Sequence, residues 1–356
     1  MIHARYTCLI RPVGCMSAAL LLLLSAHGAS LTWLPDSGRF FPTDVSNDGA
    51  VIGEFRRSQS AAAIWSPSRG WRLLSPNNSW IQAHGGGSTA IRFSPDGRWI
   101  CGTDSTPLFE SAVVWDRAGG AHPVYPAAAR QGSKAVAVSD NGVVACNPGS
   151  SRHSDDLPFL AYLQGGQQPL HDFYSLTDIS ADGSVVVALR GLSGMRWDLR
   201  YIVSGPGYER EIPRLQGGLS LPKDLSADGT TVVGYALIPW IGASGGPVVR
   251  AFRFRDGVIE DLGSLGEGHS AAHGVSADGR IVVGRSRPRY LWYTHAFRWT
   301  PETGMNDLND IYRDLLSDET EPEFLVHAAA ISPNARYICG VGRVGASGRA
   351  FLLDTW

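Results

Sequence analysis

Charge is scarce in this chain. Only 18% of its 356 residues are Asp, Glu, Lys or Arg, and the formal net charge is −2. A balance so close to neutral offers no electrostatic footprint for nucleic acid. Cysteine is scarcer, with five residues in all, and no pair has the Cys-x-x-Cys spacing of a zinc or redox site. No long apolar run follows residue 30, so no membrane span is expected in the mature chain. Neither a His-Glu-x-x-His helix nor a Walker loop appears. The histidines, among them His84, His153, His273, His295 and His327, are scattered without metal-ligand spacing. No metal and no cofactor is expected.

Glycine (42 residues) and proline (21) are abundant instead, which implies frequent turns. At the start, Arg5 and Arg11 precede the apolar stretch CMSAALLLLLSA, and small residues follow at Ala26 and Gly28. That order reads as a signal peptide over residues 1–28, too short to span a bilayer. The mature chain, 29–356, is expected to be one domain, secreted or periplasmic, and monomeric. Cys101, Cys146 and Cys339 remain in it, each seven residues after a recurring Ser. Val187, Val233 and Val283 hold the same sequence position in other copies, so these thiols read as small buried apolar residues.

The recurring Ser is the key to the architecture. GVSADGRIVVGRS at 274–286 is echoed by DLSADGTTVVGYA, DISADGSVVVALR and RFSPDGRWICGTD. The Ser falls at 46, 94, 139, 180, 226, 276 and 332, at intervals of 41 to 56 residues, near the span of a four-stranded propeller blade. The flanking runs are short, β-branched and bounded by Gly, Asp and Ser, which is strand chemistry. A second hairpin follows in each unit, as in RAFRFRDGVIEDL and HAFRWTPETGMNDL. One unit is then four strands in meander order. The sequence predicts an all-β chain, a seven-bladed β-propeller of four-stranded antiparallel blades. The chain stops at RAFLLDTW, a third strand without a fourth, and LTWLPD near the start is a strand without a first three. The N-terminal strand is expected to complete the last blade and so remove an open edge.

The repeated acidic position answers to the turn. Asp48, Asp96, Asn141, Asp182, Asp228, Asp278 and Asn334 each sit two residues after the Ser. Their side chains suit the backbone N–H groups of a tight turn, and the following Gly suits positive φ. Only Ala335 replaces that Gly, and strain is expected there. A catalytic carboxylate is needed once, not seven times, so these residues read as turn builders.

HAFRWTPETGMNDL, with EDLGSLGEGHSAAHGVSADGRIVVGRS before it, resembles the HAF repeat of bacterial extracellular proteins, named for its His-Ala-Phe. The full triplet occurs at His295-Ala296-Phe297, and two of its three residues at Arg250-Ala251-Phe252 and Arg349-Ala350-Phe351. SPDGRWI at 94–100 is also similar to the propeller repeat of periplasmic Tol-system proteins. These resemblances imply an exported β-propeller and no particular reaction.

Loop length separates two faces. Turns between first and second strands are near-uniform tetrads, whereas connections between second and third strands vary widely, and variable loops on a rigid scaffold usually carry binding. The long ones surround Trp197, Trp240 and Trp292 in blades 4, 5 and 6. Trp197, Trp240, Tyr290, Trp292 and Tyr293, with Arg287 and Arg289, are the candidate ligand-binding residues; stacked aromatics beside polar donors suit a sugar ring, a peptide or an acidic polymer. The segment NDLNDIYRDLLSDETEPEFLVH is expected to hold a short helix before blade 7, with an acidic cluster at Asp318, Glu319, Glu321 and Glu323. The expected function is a binding or scaffold module for a glycan or an envelope or extracellular protein partner. The alternative is a secreted glycoside hydrolase or lyase with its site at the channel mouth.

Overall fold

The computed structural model describes residues 28–56, 60–74, 86–106, 110–124, 132–149, 157–191, 199–239, 247–266, 268–288, 293–317 and 322–356. These form seven four-stranded antiparallel sheets. Six sheets take their strands in sequence order. The seventh joins Glu323–Ile331, Tyr337–Val344 and Ser347–Asp354 to the N-terminal strand Ser30–Trp33. That strand pairs with the last one from Ser30↔Asp354 to Trp33↔Phe351. The first strands of blades 1 to 7 touch one another in a closed circle, so the chain is a seven-bladed β-propeller around a central channel.

The repeated turn closes the ring at one end. In all seven copies the Ser hydroxyl donates to the Asp or Asn side chain two residues on, at 2.5–2.6 Å. The next residue has positive φ, between 70° and 81° at the six glycines and 64° at Ala335. Each turn also bonds the next one. Asn47 donates to Pro95 O, Asp96 N–H to Asp140, Asp140 N–H to Ala181 O, and Ala181 N–H to Ala227 O. Asp228 N–H reaches Ala277 O, Ala277 N–H reaches Pro333 O, and Asn334 returns to Asn47. This circle of hydrogen bonds spans every blade boundary on the turn face.

Two copies depart from uniformity. The Ser N–H bonds the carbonyl four residues on in blades 1 and 3 (Ser46 to Ala50, Ser139 to Val143), but five residues on in the others. The shorter turn moves Cys146 one place along its strand. It pairs with Ala135, the place Gly102, Gly234, Gly284 and Gly340 hold in their blades. Cys101 and Cys339 keep the valine position, and Cys146 does not. All three thiols are buried and free.

The Gly and HAF positions explain each other. Gly234, Gly284 and Gly340 pair with Phe252, Phe297 and Phe351, each fully buried. A Cβ at Gly284 would lie 2.1 Å from Ala271 O and 2.9 Å from the Phe297 ring, so the aromatic fills the space glycine vacates. The alanines Ala251, Ala296 and Ala350 sit where blades press together, with no exposed surface. Backbone N–H groups of Ala62, Ala112, Ala251 and Ala350 donate to Ser88, Ser133, Ser270 and Ser37 hydroxyls at 3.0–3.1 Å, stitching blade 1 to 2, 2 to 3, 5 to 6 and 7 to 1.

The connection from blade 6 to blade 7 forms a short helix, Leu308–Ile311, and a 3-10 turn, Arg313–Leu315. Asp307 caps the helix by accepting from Asn309 N–H. Glu323 accepts from Ser317 N–H; Asp318, Glu319 and Glu321 lie outside the described residues. No helix among the described residues is long and apolar enough to cross a membrane.

Candidate functional site

Every first strand carries a β-bulge, at Pro42/Asp44, Ala90/Arg92, Ala135/Ala137, Leu176/Asp178, Pro222/Asp224, Ala272/Gly274 and Ala328/Ala330. A bulge re-aims side chains, and here it turns two successive layers toward the axis. The layer nearer the turn face holds Asp44, Arg92, Asp178 and Asp224 around a cavity of about 50 Å³. Arg92 crosses from blade 2, bonding Asp224 and Lys223 O, with Asp178 Oδ2 at 3.4 Å. The carboxylates also tie blades together. Asp44 accepts from Val45 and Phe93 N–H, Asp178 from Ile179 and Leu225, and Asp224 from Val275. Burial pushes Asp44 up to about 7 and Asp178 also upward, against the pull of Arg92. This layer is a charged plug that bolts blades 1, 2, 4, 5 and 6 together.

One residue earlier, toward the loop face, the bulged residues themselves differ from blade to blade. Blades 2 and 3 place Ile91 and Val136 there, and blades 5 and 6 place Lys223 and His273. The His273 ring meets His327 of blade 7, with centroids 4.5 Å apart and planes at 69°. Both Nε2 atoms are shut off from solvent without a hydrogen-bond partner. Desolvation holds His273 well below its usual range, and His327 at about 4; Arg285 lowers both, and Lys223 also lowers His273. Lys223 Nζ lies 5.4 Å from the Tyr235 ring centroid. Aligning the seven copies exposes these columns: the position two before the Ser is charged in four copies and Ala or Gly in three.

Of the sequence-derived binding residues, Trp197, Trp240, Arg289, Tyr290 and Trp292 lie outside the described residues. Arg287 and Tyr293 stand at the two ends of one blade 6 connection and turn to different sides. The Arg287 N–H donates to His269 O, and its side chain lies against Gly268, while His269 Nδ1 accepts from Val249 N–H of blade 5. Tyr293 leans toward blade 7. It is 44% exposed, stacks on His295 at 5.6 Å and 25°, and touches Phe324 at 5.0 Å between centroids. His295 is fixed from behind by Asp307, with Nδ1 and Oδ2 at 2.5 Å. Gly242–Gly246 carries the Gly-x-Ser-x-Gly spacing outside the described residues, but it joins antiparallel strands Thr231–Ile238 and Val248–Arg255 rather than a strand to a helix, so the context of a nucleophile elbow is missing. Among the described residues no group of three or more His, Cys, Asp or Glu could hold a metal ion.

The architecture belongs to the β-propeller class. The chain is similar to oligogalacturonate lyase from Vibrio parahaemolyticus, at 9% identity and a TM-score of 0.57, covering 92% of this chain and 96% of that one. It is also similar to the β-propeller domain of the Trilobed protease from Pyrococcus furiosus, at 8% identity and a TM-score of 0.52, covering 89% and 94%. That domain has an open velcro topology, whereas here the N-terminal strand pairs with the last. TolB from Acinetobacter baumannii is similar at 12% identity and a TM-score of 0.45, covering 92% and 79%. No protein-family model matches the sequence, and no curated protein matches it significantly. At these identities the likeness concerns the fold.

Proposed function

We propose that this is an exported binding module that grips a glycan through the loop face and performs no catalysis on it. The observation that carries the reading is the platform at blade 6. An exposed Tyr293 ring lies nearly parallel to His295, which Asp307 anchors, and Phe324 buttresses it with Arg343 at 6.0 Å from the Phe324 centroid. A flat aromatic on a rigid base, with the Arg343 guanidinium beyond Phe324, suits a sugar ring. The turn face is committed to holding the ring shut, so binding falls to the other face.

The test is retention of the signal-free protein on insoluble polysaccharides and isolated cell envelope, beside Tyr293→Ala, Trp240→Ala and Trp292→Ala. Retention by the native protein and its loss in Tyr293→Ala, with an unchanged melting temperature, is the expected result. Equal retention by all variants would remove the loop face from the mechanism, and retention on envelope alone would point to a protein partner. The second reading, a lyase with its site at the channel mouth, is favoured by the uncharged His273–His327 pair, since a neutral imidazole can accept a proton. Turnover of an acidic polysaccharide that disappears in His273→Ala would establish it.

A further inference from the structure

The loop-face end of the channel gathers basic groups with no acid to answer them. Lys223, His273, Arg285 and His327 come from three consecutive blades. Neither Lys223 nor Arg285 forms an ion pair with a carboxylate among the described residues. The nearest carboxylate layer, Asp44, Asp178 and Asp224, lies on the turn side of Lys223 and is already engaged by Arg92 and backbone N–H groups. Buried polar atoms in folded proteins nearly always have a partner. Two adjacent imidazole Nε2 atoms, sealed from solvent and unpaired, therefore mark a place where a partner belongs. A neutral imidazole protonated at Nε2 donates there, as do ammonium and guanidinium groups.

We propose that this end of the channel binds an anionic group, a carboxylate or phosphate carried by a ligand entering from the loop face, with Lys223 and Arg285 supplying charge and the Nε2–H groups of His273 and His327 completing the hydrogen bonds. Arg285 supplies the planar fork that matches either group, and Lys223 supplies a mobile point charge. The bulged residues of blades 2 and 3, Ile91 and Val136, carry no charge, so a ligand with one anionic end would be oriented toward blades 5 to 7. The site is distinct from the Tyr293 platform and does not depend on it.

Inorganic phosphate and glucuronate serve as the two probes, titrated calorimetrically into the signal-free protein and followed by the imidazole ring signals of His273 and His327. Saturable binding of one or both probes, with those two rings shifting, is the expected result. Glucuronate alone would identify a uronic acid source, and phosphate alone a phosphorylated one. Among the described residues the charged groups acting on the rings are Arg285, on both, and Lys223, on His273 alone; they add to the desolvation that keeps the imidazoles neutral, so a bound anion should raise the pH midpoints of the rings. Lys223→Met and Arg285→Met should each weaken binding at least tenfold, and Arg210→Met, on an outer strand of blade 4, should leave it unchanged. Lys223 and Arg285 are both exposed, so both variants should keep their fold, and unchanged urea midpoints would show it. Failure of both probes to bind at about 20 mM, which would fill a site of Kd ~1 mM almost completely, or binding that survives both substitutions and leaves the rings unmoved, would overturn the proposal.

Discussion

Replacing Arg92 with Met should destabilise the propeller in a way that depends on pH. The guanidinium is the one cation within the plug, bonded to Asp224, 3.4 Å from Asp178, and lowering Asp44 by its field. Breaking a buried ion pair by removing one partner costs about 3–5 kcal/mol, because the other charge is stranded. Here the lower end, about 3 kcal/mol, is expected: the cavity of about 50 Å³ lets water reach the carboxylates, and a stranded acid can take up a proton.

The sign follows from proton uptake. Asp44 has its folded value at about 7 against 3.8 unfolded, so between those values the native state holds a proton that the unfolded chain has released. Stability is then lost as pH rises from about 4 to 7. Removing Arg92 moves Asp44 and Asp178 further up, which widens the window and deepens the loss. The buried histidines act in the opposite sense. His327 is lowered from 6.5 to about 4, so the unfolded state binds the extra proton and stability rises with pH over that range. Those contributions are common to both proteins and cancel in the difference. Urea midpoints for native and Arg92→Met proteins at pH 5 and pH 8 should therefore diverge more at pH 8. Adding Asp224→Asn to Arg92→Met should recover part of the deficit. A deficit that is equal at both pH values, or below ~1 kcal/mol, would refute the electrostatic account of the plug.

Other consequences are simpler. Ala335 carries φ 64° where six other turns have Gly, so Ala335→Gly should raise the unfolding midpoint by roughly 0.5–1 kcal/mol. Gly279→Val should cost at least roughly 1–3 kcal/mol, because φ is 70° and the new Cβ would fall 2.1 Å from Thr231 Oγ1; a normal urea midpoint would contradict the turn geometry. Cys101, Cys146 and Cys339 are fully buried, and burial raises all three thiols, Cys101 to about 12. A chromogenic disulfide reagent should leave them untouched in the native protein and modify all three on unfolding.

Repetition made the fold readable from sequence, and its exceptions hid the rest. The Ser-x-Asp-Gly phrase marked every turn because each copy answers the same demand, a hydroxyl–carboxylate bond and a positive φ. The unfinished third strand at Ala350–Leu353 and the lone LTW strand announced the closure seen at Leu31↔Leu353. Counting residues from the Ser failed at Cys146, because a one-residue shortening of a turn leaves the motif intact while shifting every position after it. The plug and the His273–His327 pair were missed for another reason. Their members lie far apart in sequence, Arg92 and Asp224 by 132 residues, and only the closed ring brings them within reach. The columns two and three residues before the Ser held the signal for the plug, Lys223 and His273, while His327, five residues before Ser332, falls outside them.

Symmetry gives those columns their meaning. A turn residue that bonds the next turn cannot change in one copy without weakening a boundary, and at four boundaries a serine that receives the preceding blade's N–H carries the same duty. The bulged position carries no such duty to the ring in blades 5 and 6. There the copies diverge to Lys223 and His273, while Ile91 and Val136 occupy the same place in blades 2 and 3. Folding alone would be served by a small apolar residue, as Ala329 shows in blade 7. Burying the His273 and His327 Nε2 atoms there without hydrogen-bond partners costs stability, because their desolvation is not offset. A cost concentrated in one sector of an otherwise repetitive channel is what the proposed anion site requires, and loss of phosphate and glucuronate binding in Lys223→Met is its direct check.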